Sequence, residues 1–292
     1  MTLGTQQDHA CLIVKGPDQQ GLVAAITALV ARNDGNIVSL DQYSDNPAGG
    51  KFFQRLVFHR PGLASAMDAI RADIEQTLSP YGMEWRLTDQ SVPKRMIILA
   101  SKSDHCLLDL LWRQRRGELA VTIPKVISNH TNSQEDVENF GIEFVHVPSQ
   151  EGPDKSQSEA ELLKQIVGQA DFVVLARYMQ ILSDEFIEKL GVPVINIHHS
   201  FLPAFIGAPP YRRAKERGVK LIGATAHYVT KDLDEGPIIE QDVTRISHDL
   251  TVEDLQVKGQ YVERGVLSRA VQWHAEDRVI RDGNHTVVFS HW

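Results

Sequence analysis

Three residues of complementary chemistry stand out in the second half of the chain. Asn196 and His198 are two positions apart in the run Val194-Ile195-Asn196-Ile197-His198, and Asp234 lies just before Gly236-Pro237. An amide NH₂ can hydrogen-bond a carbonyl oxygen as that oxygen gains negative charge. An imidazole can give or take a proton near neutral pH. A carboxylate can orient that imidazole, raise its pKa and position a water. Each also has a plain structural reading. Asn or His at a strand end often only satisfies hydrogen bonds, and Asp-Glu-Gly-Pro is a turn sequence. A third reading makes His198, His199 and His227 a metal site. No His-x-x-x-His spacing and no thiolate partner accompanies them, so no metal is expected.

These residues need elements to position them. Asn196 and His198 end a continuous apolar run, and strand alternation puts both on one face. Similar runs occur at residues 96–100, 126–127, 144–145 and 172–175, as expected of strands buried on both faces. Helical stretches at 105–116, 159–167 and 184–190 lie between them. Strands alternating with helices predict a mostly parallel sheet with right-handed crossovers, whose carboxyl ends bind ligands. The Leu202-Pro203 turn and Gly207 are expected to hold a loop over that end. Strands at 224–229 and 237–243 flank the short acidic loop that carries Asp234. A long helix at 252–274 and a short strand at 284–289 follow.

The first part of the chain has its own rhythm. A strand at 11–14 is ended by Gly16-Pro17-Asp18. Leu22, Ile26, Leu29 and Val30 recur on one helix face, closed by Gly35-Asn36. Strands at 37–43 and 52–58, a helix face of Leu63, Met67, Ile70 and Ile74, and a strand at 83–87 complete a βαββαβ order. A polar linker containing Pro93 separates the two rhythms. The expected domains are residues 8–88 and 94–292 of an α/β protein, the first ferredoxin-like and the second Rossmann-like.

Composition bounds the rest. A chain of 292 residues predicts two domains, and 42% hydrophobic with 23% charged residues is ordinary for a globular protein. The formal net charge of −8 argues against general binding to nucleic acid or anionic membranes. Cys11 and Cys106 are far apart and form no Cys-x-x-Cys, which indicates neither a disulfide framework nor a thiolate metal site. Residues 1–9 are polar without the apolar core of a signal peptide, and no apolar run is long enough to span a bilayer. The expectation is a cytoplasmic protein.

The run Asn196-Ile-His-His-Ser-Phe-Leu-Pro-Ala-Phe205, followed by Gly223-Ala-Thr-Ala-His-Tyr-Val-Thr230 and Leu233-Asp-Glu-Gly-Pro-Ile-Ile239, resembles the formyltransferase fold family. The resemblance spans roughly residues 95–272. It implies 10-formyltetrahydrofolate as substrate, no separate cofactor, and Asn196, His198 and Asp234 as the catalytic set with His227 in support. Leu175-Ala-Arg-Tyr-Met-Gln-Ile-Leu-Ser183 resembles the family's pterin-binding segment, which implies folate contacts at Met179, Gln180, Ile181 and Leu182. The first domain resembles the ACT domain through Gly16-Pro-Asp-Gln-Gln-Gly-Leu-Val23. That implies an effector site, an amino acid being the expected ligand, near Gly16, Asp18, Gly21, Leu22 and Asn36. Assembly alone is the other reading of that domain. Such modules pair edge to edge, so a homo-oligomer is expected.

An ACT module before this fold resembles the formyltetrahydrofolate deformylases. The resemblance implies hydrolysis to formate and tetrahydrofolate, serving one-carbon and purine metabolism. Transfer to glycinamide ribonucleotide is an alternative acceptor chemistry, as is transfer to methionyl-tRNA. Relatives that bind a nucleotide phosphate use a Gly-rich turn after the first strand of this domain. Here that turn, residues 100–105, has no glycine and carries Asp104, although Lys102 could contact a phosphate. A transfer-RNA acceptor would call for a basic extension, whereas the chain ends soon after the core and is acidic. A catalytically inactive, folate-responsive regulator is the non-enzyme alternative.

Overall fold

The structure is a computed structural model that describes residues 7–46, 48–149, 155–203 and 210–290. The chain divides into two compact units. One comprises Met1–Pro93, Glu276–Asp282 and Val287–Trp292, the other Lys94–Ala275 and Gly283–Thr286.

The first unit begins with β1 (His9–Pro17), α1 (Leu22–Arg32), β2 (Asn36–Ser44), β3 (Lys51–His59), α2 (Leu63–Leu78) and β4 (Glu84–Asp89). Its sheet is antiparallel in the order β2-β3-β1-β4. Alternation along β1 and β3 explains their apolar character on both faces. Leu12, Val14, Phe52, Leu56 and Phe58 pack with Leu22, Ile26, Leu29, Ile70 and Ile74 of the helices. Cys11, Ile13, Phe53 and Val57 point the other way, into a second cluster. The close of α1 differs from the expected glycine turn. Asp34 takes the left-handed conformation (φ 59°). Gly35 is there for room, since a Cβ on it would lie 2.7 Å from Val30 Cγ1.

The second unit contains β5 (Lys94–Ala100), α3 (His105–Arg115), β6 (Val121–Thr122), β7 (Lys125–Ser128), α4 (Gln134–Asn139), β8 (Glu143–His146) and α5 (Ser156–Ile166). It continues with β9 (Phe172–Ala176), α6 (Asp184–Leu190), β10 (Val194–His198), α7 (Pro210–Glu216), β11 (Leu221–Tyr228), β12 (Ile238–Arg245) and α8 (Val252–Ala275). The sheet order is β12-β11-β10-β9-β5-β7-β8, with β6 beside β5. Strands from β10 to β8 are parallel, and β11 and β12 are antiparallel additions. The sheet is therefore mostly parallel, as its sequence pattern predicts. Its parallel strands β5, β9 and β10 end side by side, which gathers the residues that follow them.

The predicted strand at 284–289 is one arm of a hairpin, β13 (Val279–Asp282) and β14 (His285–Val288), turned at Gly283 (φ 57°). Ile280, Val287 and Phe289 complete the second cluster of the first unit, against Cys11 and Phe53. Among the described residues no helix is long and apolar enough to cross a membrane.

Candidate active site

The site grows from the pairing of β10 with β11. Asn196 lies directly opposite His227, and His198 opposite Thr225. Opposed residues of an antiparallel pair share a face, so the Asn196 and His227 side chains meet. The Asn196 amide nitrogen is 3.2 Å from His227 Nε2. His227 Nδ1 donates to the Tyr228 carbonyl at 3.0 Å, which leaves Nε2 to face the amide. If Nε2 accepts one Asn196 hydrogen, the other stays available to a ligand.

Asp234 comes from the turn between β11 and β12. Tyr228 N donates to the Pro237 carbonyl at 2.9 Å, which closes the base of this turn. Asp234 is left-handed (φ 57°). Gly236 passes so close to the Tyr228 carbonyl that a Cβ on it would lie 1.8 Å from that oxygen. The result sets the Asp234 carboxylate 3.2 Å from His198 Nδ1 and 3.6 Å from His227 Nε2. Burial pushes this carboxyl up, but the neighbouring His198 and His227 imidazoles outweigh it and hold the carboxyl far below its ordinary range. His198 is buried (7% exposed), and its Nε2 has no hydrogen-bond partner among the described residues. With Nδ1 on the carboxylate, Nε2 is the nitrogen left to exchange a proton.

These groups line a cleft of about 330 Å³. Its other walls are Met179, Gln180, Ile181 and Leu182 from one loop, and Val229 with residues 230–233 from another. Met179 and Ile181 are 55% and 59% exposed, apolar surface suited to a flat aromatic ligand. Helix α5 braces this loop. Lys155 Nζ donates to the Ile181 carbonyl at 2.9 Å, and Glu159 accepts from Ser183 N at 2.8 Å and from its hydroxyl. On the other side, Thr225 ties down the chain after β10. It accepts from Leu202 N at 3.0 Å and donates to the Ser200 carbonyl at 2.9 Å. Gly207 lies outside the described residues.

The structure thus brings together all eight residues predicted for this site. The residues expected to meet an effector are not all so gathered. Gly16, Asp18 and Gly21 group where β1 meets α1, and Asp18 accepts from the Ser44 hydroxyl at the end of β2. Leu22 is in the core, 1% exposed, so its side chain cannot meet a ligand. Asn36 pairs with His59, whereas Gly16 pairs with Phe52. It therefore lies roughly 23 Å along the sheet from the others, at the ordinary strand rise.

Sequence reasoning missed Arg177 and His199 as cleft residues and Glu263 behind them. The signal for Glu263 was present. Leu255, Gly259, Glu263, Val266 and Ala270 form the buried stripe of α8, and a carboxylate on such a stripe demands buried partners. The described residues also include one cluster with metal-ligand chemistry, His105, Cys106 and Glu263, apart from the predicted histidines. Glu263 is already committed to His105, Tyr211 and Arg177 there.

Residues 94–271 match the formyl transferase family and residues 12–75 match the ACT domain, which defines the class as an ACT-bearing enzyme of the formyltransferase fold. The chain is 54% identical over 283 residues to the formyltetrahydrofolate deformylase of Mycobacterium bovis, spanning 97% of this chain and 91% of that one. It is 46% identical to that of Bacillus subtilis, spanning 97% and 95%. The solved structure of a formyltetrahydrofolate deformylase from Pseudomonas syringae pv. tomato matches with a TM-score of 0.92 at 44% identity, covering 98% of this chain and 96% of that one. Glycinamide ribonucleotide transformylase 1 from Symbiobacterium toebii matches with a TM-score of 0.64 at 30% identity, over 68% of this chain and 95% of that one. The chain belongs to the formyltetrahydrofolate deformylase family.

Proposed function

We propose that the protein hydrolyses 10-formyltetrahydrofolate to formate and tetrahydrofolate, with Asn196, His198 and Asp234 as catalytic residues. The observation that carries this reading is the buried His198 imidazole, held by Asp234 at Nδ1 and without a partner at Nε2 among the described residues, beside an amide donor.

The folate ring system lies against Met179, Gln180, Ile181 and Leu182, with the formyl group toward Asn196. The free amide hydrogen of Asn196 donates to the formyl oxygen and stabilises the negative charge that develops there. Asp234 and His198 position a water, and Nε2 of His198 takes its proton as the oxygen attacks the formyl carbon. Asp234 stabilises the imidazolium that results. The imidazolium returns the proton to the folate nitrogen, the carbon–nitrogen bond breaks, and formate leaves. His227 acts through Asn196 and Asp234 as a positioning residue. No metal or cofactor is required by this sequence of steps.

Two further readings belong to the first unit. An amino-acid effector binds around Gly16, Asp18 and Gly21, where Ser44 adds a hydroxyl. The chain self-associates through β2, an edge strand with Val38, Leu40 and Tyr43 exposed. Cys11 and Cys106, both buried and neither in a disulfide, agree with a cytoplasmic setting.

The test is formate release from 10-formyltetrahydrofolate with no acceptor added. Wild-type protein releases formate, and His198→Ala loses about 10²–10⁴ of the rate. Near-full release by the variant overturns the assignment. Added amino acids shift the rate if the effector reading holds.

A further inference from the structure

We propose that a buried cluster centred on Glu263 is the specificity-determining wall of this site, closing the acceptor side of the cleft so that water reaches the formyl carbon and larger amines do not. The proposal rests on the hydrolase reading above.

Glu263 lies on α8 and is 1% exposed. It accepts from the Tyr211 hydroxyl at 2.7 Å and pairs with His105 Nε2 at 2.8 Å and Arg177 Nε at 3.4 Å. Burial pushes the carboxyl up, but the His105 hydrogen bond, the Arg177 charge and the Tyr211 hydroxyl bring it down to about 2. The group is therefore a fixed anion among directional partners. Such a set is a poor source of stability compared with apolar packing, so its use is better sought in geometry.

Its location supplies that use. Arg177 and His199 follow the ends of β9 and β10 and line the same cleft as Asn196 and His198. They add polar groups to the cleft wall that Asn196 and His198 share. His105 begins α3, just past the end of β5, the next strand of the sheet. The His199 ring centroid lies 5.3 Å from that of His198 and 6.1 Å from that of Tyr211. Tyr211 thus backs the ring that neighbours the proposed proton carrier. An acceptor that reaches the cleft wall at Arg177 and His199 meets side chains backed by Glu263 and Tyr211.

Gly259 shows that the wall is built to a close fit. It lies one turn before Glu263 on the same face of α8, and a Cβ on it would sit 1.9 Å from the Tyr211 hydroxyl. Glycine is disfavoured inside a helix, so this position trades helix propensity for the seat of Tyr211. The transformylase that shares this fold is named for a ribonucleotide amine. A hydrolase on the same fold must keep such amines from competing with water.

The experiment supplies 10-formyltetrahydrofolate together with glycinamide ribonucleotide, or with hydroxylamine as a small probe, to the full chain. The readout is the ratio of formylated amine to formate. In the transfer reaction the folate carbon–nitrogen bond breaks, a new formyl–nitrogen bond forms, and the amine proton passes to the folate nitrogen. Wild type yields formate with a low, measurable trace of formylated amine. Tyr211→Ala and His105→Ala raise the ratio about tenfold or more for at least one amine, while Tyr211→Phe, which keeps the ring, retains the wild-type ratio. Folded Tyr211→Ala and His105→Ala proteins with normal formate release and an unchanged ratio overturn the wall. If Tyr211→Ala does not fold, Tyr211→Leu with His105→Ala decides by the same criterion. A wild type that releases no formate without an amine overturns the hydrolase reading and this proposal together.

Discussion

One oxygen of Asp234 lies 3.2 Å from Nδ1 of His198, and the other lies 3.6 Å from Nε2 of His227. A single carboxylate thus addresses two imidazoles, one poised for proton transfer and one bonded to the Asn196 amide. Replacing its charge while keeping its shape separates orientation from electrostatics. Asp234→Asn is expected to lower kcat by about 10²–10⁴, since the imidazolium loses its counter-charge. Steady-state formate release measures this, and a loss under threefold contradicts the role assigned to Asp234.

Asn196→Ala removes the amide donor and leaves the apolar wall of Met179 and Ile181 intact. The expected effect is a fall in kcat of about 10²–10³ with little change in KM, because the hydrogen bond strengthens as charge develops on the formyl oxygen. A rise in KM at constant kcat would mean that Asn196 serves ground-state binding instead.

Gly236→Ala tests how the turn positions Asp234. The added Cβ would fall 1.8 Å from the Tyr228 carbonyl, so the backbone between β11 and β12 must shift. Activity should fall at least tenfold while the rest of the fold survives, as read by circular dichroism beside the formate assay. Full activity would show that the turn does not set the carboxylate.

Glu159 lies outside the cleft, yet it holds Ser183 N at 2.8 Å. Glu159→Ala frees the backbone that carries Ile181 and Leu182. The expected result is a several-fold rise in KM for the folate with a smaller change in kcat, because loop order is lost before binding rather than during chemistry. Unchanged KM removes α5 from the account of folate binding.

Acid sensitivity should start well above the carboxylate range. Burial, assisted by the Arg177 charge, brings His199 from 6.5 down to about 4. Glu263 moves from 4.5 to about 2. Both folded values are depressed, so each contribution is present above the unfolded pKa and is lost as pH falls toward the folded one. The urea midpoint should therefore decline from about pH 6.5 to 4 through His199 and from about 4.5 to 2 through Glu263. His199→Asn should flatten the upper part and Glu263→Gln the lower. A wild-type midpoint that stays level from about pH 6.5 to 4 contradicts the first assignment.

What the sequence made legible follows from locality. Asn196 and His198 announce themselves because alternation within one apolar run fixes their common face. Met179 to Leu182 could be placed only through family resemblance, since nothing local marks a loop as aromatic-binding. Asp234 read as a turn residue because its partners come from β10 and β11, a pairing whose register no short window contains. Arg177, Tyr211 and Glu263 meet from three elements separated by many residues, and only the charged position on the buried stripe of α8 hinted at them. The hairpin at the end was half visible. Asp282-Gly283 is a standard turn signal, but Val279-Ile280 is too short a run to declare a strand.

That hairpin has a consequence for how such a chain can be taken apart or recombined. The first unit is assembled from three stretches, with both chain ends among them. Ile280, Val287 and Phe289 cover Cys11, Ile13, Phe53 and Val57, so the sensor-like module borrows part of its own floor from beyond the catalytic segment. A gene fragment cut after Pro93 would carry away four strands and two helices yet leave an oily sheet face bare. Transplanting the module onto another enzyme therefore means moving the 276–290 segment together with residues 7–93, with the new partner inserted between them.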